Sequence, residues 1–227
     1  MKKFLLGLTA ALVTASTVPA QAQVRITEAA AWGSGSTPYL SDWFELTNFG
    51  PLAVSISNWK MDDNSAAFAT AVPLTGISSI ASGESVIFIE NATANAGFLT
   101  TWFGVTPPPG LQIGNYTGGG VGLSTAGDGV TLFNGSGIQQ AIITFGASPG
   151  GPSFASFDNA GGLNGVAIST LSAVGVNGAF VAVGDANEIG SPGRIASVTP
   201  VPEPESYALM ALGLGLIGMF ARKRQVE

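Results

Sequence analysis

Ser41-Asp42-Trp43-Phe44-Glu45-Leu46-Thr47-Asn48 is the stretch from which the fold can be read. Side chains alternate across a strand, so Phe44 and Leu46 face one side while Trp43, Glu45 and Thr47 face the other. Asn48-Phe49-Gly50-Pro51 closes the strand with a turn. Upstream, Val24-Arg25-Ile26-Thr27-Glu28 alternates and reads as a first strand, with Ala31 to Pro38 as a glycine-rich loop. Downstream, Val54 to Ser57 alternates again, and Asn58 to Asp63 begins another short strand. Ser82-Gly83-Glu84 turns into Ser85-Val86-Ile87-Phe88-Ile89, a continuous apolar strand suited to a sandwich core.

Phe98, Leu99 and Trp102 share a helical face, so Ala92 to Phe103 is expected to be a short helix. Thr106 to Gly110, with three prolines, and Asn115 to Gly122 read as loops. Gly127-Asp128-Gly129 is expected as a tight turn into Val130 to Phe133. Asn134-Gly135 then signals a hairpin, because both positions tolerate positive φ, with Ile138 to Phe145 as the returning strand. The remainder to Arg194 is glycine-rich, with a strand at Gly178 to Val183. Many short strands separated by turns predict an all-β fold, an antiparallel β-sandwich.

Both ends of the chain fall outside that pattern. Met1-Lys2-Lys3, the apolar run Phe4 to Val13 and Pro19-Ala20-Gln21-Ala22 have the three parts of a signal peptide, cleaved after Ala22 at an A-x-A site formed with Ala20. At the other end, Pro202-Glu203-Pro204 precedes an uncharged run that ends at Ala221, and Arg222-Lys223-Arg224 closes it. Ser206 to Ala221 is sixteen residues, short against the roughly 20 that cross a bilayer. Snorkelling of Arg222 and Lys223 and local thinning offset part of the deficit. The basic cluster should stay cytoplasmic, with the body of the protein outside. A single C-terminal hydrophobic helix is therefore expected, anchored transiently in the inner membrane. Prolines 200, 202 and 204 make the preceding stretch extended and exposed, as a protease substrate should be.

Composition narrows the function. The chain holds 32 glycines and 13 prolines, and 10% of its residues are charged. Between Gln23 and Pro200 three basic residues stand against eleven acidic ones, an excess of eight negative charges. Phosphate backbones should repel such a surface, so nucleic acid is not an expected partner. There is no cysteine and no histidine. That excludes disulfides, Ser-His-Asp catalysis and histidine-ligated metals.

Val201-Pro202-Glu203-Pro204, the apolar run and Arg222-Lys223-Arg224 together resemble a PEP-CTERM sorting signal. The resemblance implies a Gram-negative bacterium, and an exosortase that recognises Pro202, Glu203 and Pro204 and removes the tail after export. The cargo of such signals is typically a surface or extracellular-matrix protein in a bacterium that makes exopolysaccharide. A second resemblance is spread along the body of the chain. Ile26-Thr27-Glu28, Asp42 to Asn48, Val54 to Trp59 with Asp62, Ser82 to Ile89, Gly127 to Phe133 and Ser191-Pro192-Gly193-Arg194 are similar to the lamin-tail domain. Ala92 to Gly122 and the glycine-rich stretch before Ser191 depart from that pattern. The family implies an immunoglobulin-like sandwich without catalytic activity. The expected layout is a signal peptide over 1–22, a lamin-tail-like domain over 23–196 and a sorting signal over 197–227.

Few residues of the domain suggest chemistry. Asp62-Asp63-Asn64 is a local oxygen cluster, read either as calcium ligands or as a solvated turn; the D-x-[DN]-x-[DN]-G loop is absent. Glu28 and Glu45, on neighbouring strands, are either an acid–base pair of an extracellular hydrolase or a structural pair, with Glu45 bonded to backbone donors or Arg25. The structural reading is favoured. Trp59 is expected in the core. Trp32, in a Gly/Ser loop, is the candidate exposed contact for polysaccharide. The reading is thus a non-catalytic exported protein whose sandwich binds extracellular polysaccharide or surface proteins. A carboxylate hydrolase and a calcium-stabilised adhesin are the alternatives.

Overall fold

A computed structural model describes residues 23–194. The expected signal peptide with Ala20 and Ala22, and the whole sorting tail, lie outside the described residues.

Fifteen strands follow one another in this region: β1 Val24–Ala30, β2 Trp43–Asn48, β3 Val54–Ser55, β4 Lys60–Asp62, β5 Val72–Pro73, β6 Ser79–Ile80, β7 Ser85–Ile89, β8 Ile113–Asn115, β9 Asp128–Phe133, β10 Gln139–Phe145, β11 Phe154–Ala155, β12 Phe157–Asp158, β13 Val166–Ile168, β14 Phe180–Val181 and β15 Glu188–Gly190. A four-residue helix, α1 Gly33–Ser36, interrupts the loop after β1, and α2 Asn95–Phe103 follows a 3-10 turn at Ala92–Ala94. Among the described residues no helix is long and apolar enough to cross a membrane.

Two five-stranded sheets carry the fold, in the orders β12-β1-β2-β7-β8 and β13-β10-β9-β4-β5. They face each other across one apolar core. Ile26, Phe44, Leu46, Val86 and Phe88 of the first sheet meet Met61, Val130, Leu132, Ile143 and Phe145 of the second. The first sheet is also covered on its other face. There Trp43, Ile87 and Ile89 pack with Phe98, Trp102 and Phe103 of α2. A small sheet, β11-β15-β14, joins this third layer through Phe154 and Phe180. A strand buried on both sides loses the apolar-in, polar-out alternation, and all six residues of β2 are buried.

Most of the expected elements are present. Phe44 and Leu46 occupy one core and Trp43 the other, as their alternation requires. The helix expected at Ala92 to Phe103 forms, and Trp59 lies in the core. The hairpin of β9 and β10 forms, by a different turn. Positive φ falls on Gly137 at 78°, not on Asn134 or Gly135. Asn134 Oδ1 instead accepts the backbone N–H groups of Ser136 and Ile138 at 3.0 and 2.9 Å, making a longer side-chain-closed loop.

The purely antiparallel arrangement needs correction. The pairs β7/β8, β10/β13 and β11/β15 are parallel. Each joins strands separated by connections too long to be hairpins, such as the α2 segment between β7 and β8. The expected turn at Gly127 to Gly129 is already strand from Asp128. The glycine-rich remainder holds five short strands, not one.

Phe44 stacks on Phe88 with ring centroids 5.6 Å apart and lies 5.2 Å from the Tyr116 ring. Phe44→Ala should cost about 3–5 kcal/mol by leaving a cavity between the two main sheets. Equilibrium urea unfolding of the domain checks this; a loss under about 1 kcal/mol would place Phe44 outside the core.

Candidate functional site: a buried carboxylate latch

The most unusual chemistry of the fold is two buried glutamates side by side. Register between β1 and β2 runs Ile26 opposite Leu46, then Glu28 opposite Glu45. One residue has been inserted, so Thr27 is the extra member of a β-bulge. The bulge decides where Glu28 points. In a regular strand Glu28 would share the face of Ile26 and enter the apolar core. The extra residue turns it to the face of Glu45, and Ala29 returns to the Ile26 side.

Both carboxylates are 0% exposed, and the chain's far end supplies their hydrogen-bond donors. Ser191 donates its N–H to Glu28 Oε1 and its hydroxyl to Oε2, each at 2.8 Å. Gly193 donates its N–H to Glu45 Oε2 at 2.6 Å. Thr27 Oγ1 donates to Glu45 Oε1 at 2.8 Å. The Ser156 hydroxyl also bonds Glu28, and a 2.7 Å contact links it to Ser172. Ser191-Pro192-Gly193 is thus latched across β1 and β2 by two carboxylates some 150 residues earlier in the chain. A β-carbon at Gly190 would stand 2.6 Å from Glu28 Oε1 and 2.9 Å from the Trp102 ring, so only glycine allows β15 to approach this closely.

The electrostatics follow from burial. Desolvation pushes the Glu28 carboxyl up to about 7, against the pull of its hydrogen bonds, and the Asp158 charge adds to the rise. Desolvation, then the charge of Glu28, holds Glu45 well above the usual carboxylate range. Each discourages ionisation of the other, so the pair keeps a proton at neutral pH. Glu188 of β15 is a third such group. It accepts the Tyr39 hydroxyl at 2.6 Å on Oε2, while its Oε1 is buried with no donor. Burial raises its carboxyl to about 7. Burial and the Glu188 charge likewise raise the Tyr39 phenol.

This geometry separates the candidate residues. Glu28 and Glu45 are brought together, and Glu45 meets a backbone donor as the structural reading expected. A hydrolytic pair must flank its substrate, whereas these two are sealed beneath Ser191 and Gly193. The expected exposure of Trp32 does not hold. It is 1% exposed and stacks on Phe154 at 6.4 Å, because the loop folds inward where Gly33 lets the Ser41 carbonyl approach. Asp62 is buried, not solvated. Its carboxylate accepts Ser65 Oγ at 2.5 Å, Ala67 N at 2.8 Å and Thr70 Oγ1 at 3.0 Å. Asp63 Oδ1 accepts Ser65 N, and Asn64 donates its N–H to Asp128. Among the described residues no three acidic side chains are grouped to hold a metal ion. Pro202, Glu203, Pro204 and Arg222, Lys223, Arg224 lie outside the described residues.

Sequence reasoning missed Tyr39, Ser156, Ser172 and Glu188, since isolated polar residues in loops and two- or three-residue strands carry no periodic signal. It also missed a shallow cleft of about 280 Å³ beside Asp158, Asn159, Ser169, Thr170 and Asn177.

A sandwich with its carboxylates buried in structural bonds, and its last residues latched ahead of a proline-rich tail, defines an all-β module carried on a sorting segment. The chain belongs to the lamin tail domain family, whose model matches residues 17–147. The PEP-CTERM protein-sorting motif matches residues 200–225, which include Pro202 to Pro204 and Arg222 to Arg224. That motif marks an exported protein recognised and processed by an exosortase, with a surface or extracellular destination. Both families are of non-catalytic kinds. Comparison with curated proteins finds no match. The family match holds Glu28 and Glu45 but ends at Ala147, so the donor half of the latch, Ser191 and Gly193, with β11 to β15, lies beyond it.

Folded Glu28 and Glu188 bind protons more readily than in the unfolded chain. Their contribution is complete below about pH 4.5 and is lost as pH rises through about 7. The melting temperature should therefore be higher at pH 5 than at pH 8, by an amount worth a few kcal/mol at most. Glu28→Gln should flatten that slope. A profile of Glu28→Gln parallel to the parent's would show that Glu28 ionises normally. Ser191→Ala, which removes one buried bond, should cost about 1–2 kcal/mol in denaturant unfolding.

Proposed function

We propose that this chain is a non-catalytic surface or extracellular-matrix module, exported with a signal peptide over residues 1–22 and carried to the membrane by its sorting tail over 197–227. Residues 23–196 form one immunoglobulin-like lamin-tail sandwich. The tail holds it at the inner membrane until an exosortase cuts near Pro202-Glu203-Pro204, after which the sandwich is released to the surface or matrix. The observation that carries this reading is the sorting motif beginning seven residues after Gly193, the last residue of the latch. The latch supports it physically. Cleavage beyond Arg194 leaves Ser191 and Gly193, the far-end donors to the buried carboxylates among the described residues, on the domain.

The ligand we assign to the released module is extracellular polysaccharide or another surface protein. The cleft beside Asp158 supports a sugar: Ser169, Thr170 and Asn177 are exposed there and offer hydroxyl and amide groups. Its walls include Ala167 and Leu163 as apolar backing.

The intact mass of the protein recovered from its host tests processing. The expected product starts at Gln23 and ends between Pro202 and Ser206. Pro202→Ala with Pro204→Ala should leave the tail attached and the protein in the membrane fraction. A parent chain that retains residues to Glu227 would overturn the reading and make the tail a lasting anchor.

A further inference from the structure

The described chain ends at Arg194, and the surface around that residue is apolar. The Arg194 guanidinium lies 4.1 Å from the centre of the Phe180 ring and 6.0 Å from that of Phe103. Phe103 ends α2, and Val105 two residues on is 99% exposed. The neighbouring segment is β14, an edge strand of the third layer. Phe180 and Ala182 turn inward, so Val181 and Val183 turn outward, 40% and 71% exposed. Backbone bonds hold this segment against α2: Val183 N–H donates to the Trp102 carbonyl at 3.4 Å and Gly184 N–H to that of Thr101 at 2.7 Å. A β-carbon at Gly104 would lie 3.4 Å from Val183 Cγ1, so Val183 reaches the residue that precedes Val105. Single exposed valines are ordinary. Here three stand on the two segments, the end of α2 and β14, whose Phe103 and Phe180 rings the Arg194 guanidinium faces.

The length of the tail says what covers it. Twelve residues, 195–206, separate Arg194 from the apolar run starting at Tyr207. Fully extended they span at most about 40 Å. A domain tethered so closely meets the bilayer at an effective concentration in the millimolar range, so a weak patch suffices. Charge selects the orientation. The body of the chain carries an excess of eight negative charges, which anionic headgroups repel. This corner presents neutral side chains and the basic Arg194, with Asp185 as the nearest acidic residue in sequence.

We propose that the Val105–Val181–Val183 corner docks on the lipid surface while the sorting tail is attached, presenting Pro202-Glu203-Pro204 to the membrane-embedded processing enzyme. This rests on the reading of the tail as a membrane anchor, and the test separates the two. The chain contains no cysteine, so Val105→Cys in the full chain accepts a single environment-sensitive fluorophore. A second probe at Ser136, on the β9–β10 hairpin loop of the opposite outer sheet, is the reference.

The labelled chain is reconstituted in phosphatidylcholine vesicles and floated. The expected result is co-flotation, a blue shift and reduced iodide quenching at position 105, and neither change at 136. Val181→Asp with Val183→Asp should abolish the shift at 105 while flotation persists. Adding phosphatidylglycerol should weaken it. Co-flotation with an unshifted probe at 105, or with a shift that survives the aspartates, overturns the docking and leaves the anchor standing. Failure to float overturns both. A shift that depends on protein concentration, with cross-linked dimers, overturns the lipid assignment in favour of a second copy on the β14 edge.

Discussion

The fold depends on satisfying two carboxylates that have been taken out of water. An unpaired buried charge costs several kcal/mol, and burial without hydrogen bonds is costly even for a neutral acid. Glu28 and Glu45 avoid both penalties by each meeting its own hydrogen-bond donors and by holding a proton between them. Those donors come from Ser191 and Gly193, at the far end of the chain. The requirement therefore closes the domain: the last strand cannot leave without stranding the first two. It also accounts for the glycine at position 190, which lets β15 reach the pair.

The same pair ties the first sheet to the third layer. The face of the first sheet that carries Glu28 and Glu45 is the one covered by α2 and the β11-β15-β14 sheet. A polar ladder crosses it, from Thr27 to Thr47 at 2.9 Å and on to Ser85 at 2.7 Å. Around this strip the aromatic side chains of Trp43, Phe98 and Trp102 meet edge to face or tilted, at 5.6 to 6.2 Å. Polar bonds set the register of the third layer, and aromatic burial supplies its adhesion. A latch of this kind suits a protein whose tail is cut away. The donors of the latch among the described residues, Ser191 and Gly193, stand on the domain side of the sorting motif.

Much was legible in the sequence where periodicity is strong. β2, β7 and the β9–β10 pair follow from alternation or continuous apolar runs, and α2 follows from the spacing of Phe98 and Trp102. Within residues 146–194 only the strand expected at Gly178 to Val183, present as β14, was legible. Strands of two or three residues carry no measurable period, and β11, β12 and β15 are held by partners distant in sequence. Trp32 shows the limit of composition as a guide. A Gly/Ser loop reads as exposed, yet small residues are also what let a loop fold inward and bury a large ring.

By itself the sequence determined the class of the protein. Export, the sorting motif, the all-β pattern and the lack of histidine and cysteine chemistry are local properties of composition and short motifs. The tertiary structure decided what the glutamates do. One inserted residue at Thr27 turns Glu28 from the apolar core toward Glu45, and no local pattern reveals a bulge. The donors that keep the pair buried arrive from about 150 residues away, and only the folded chain brings them there.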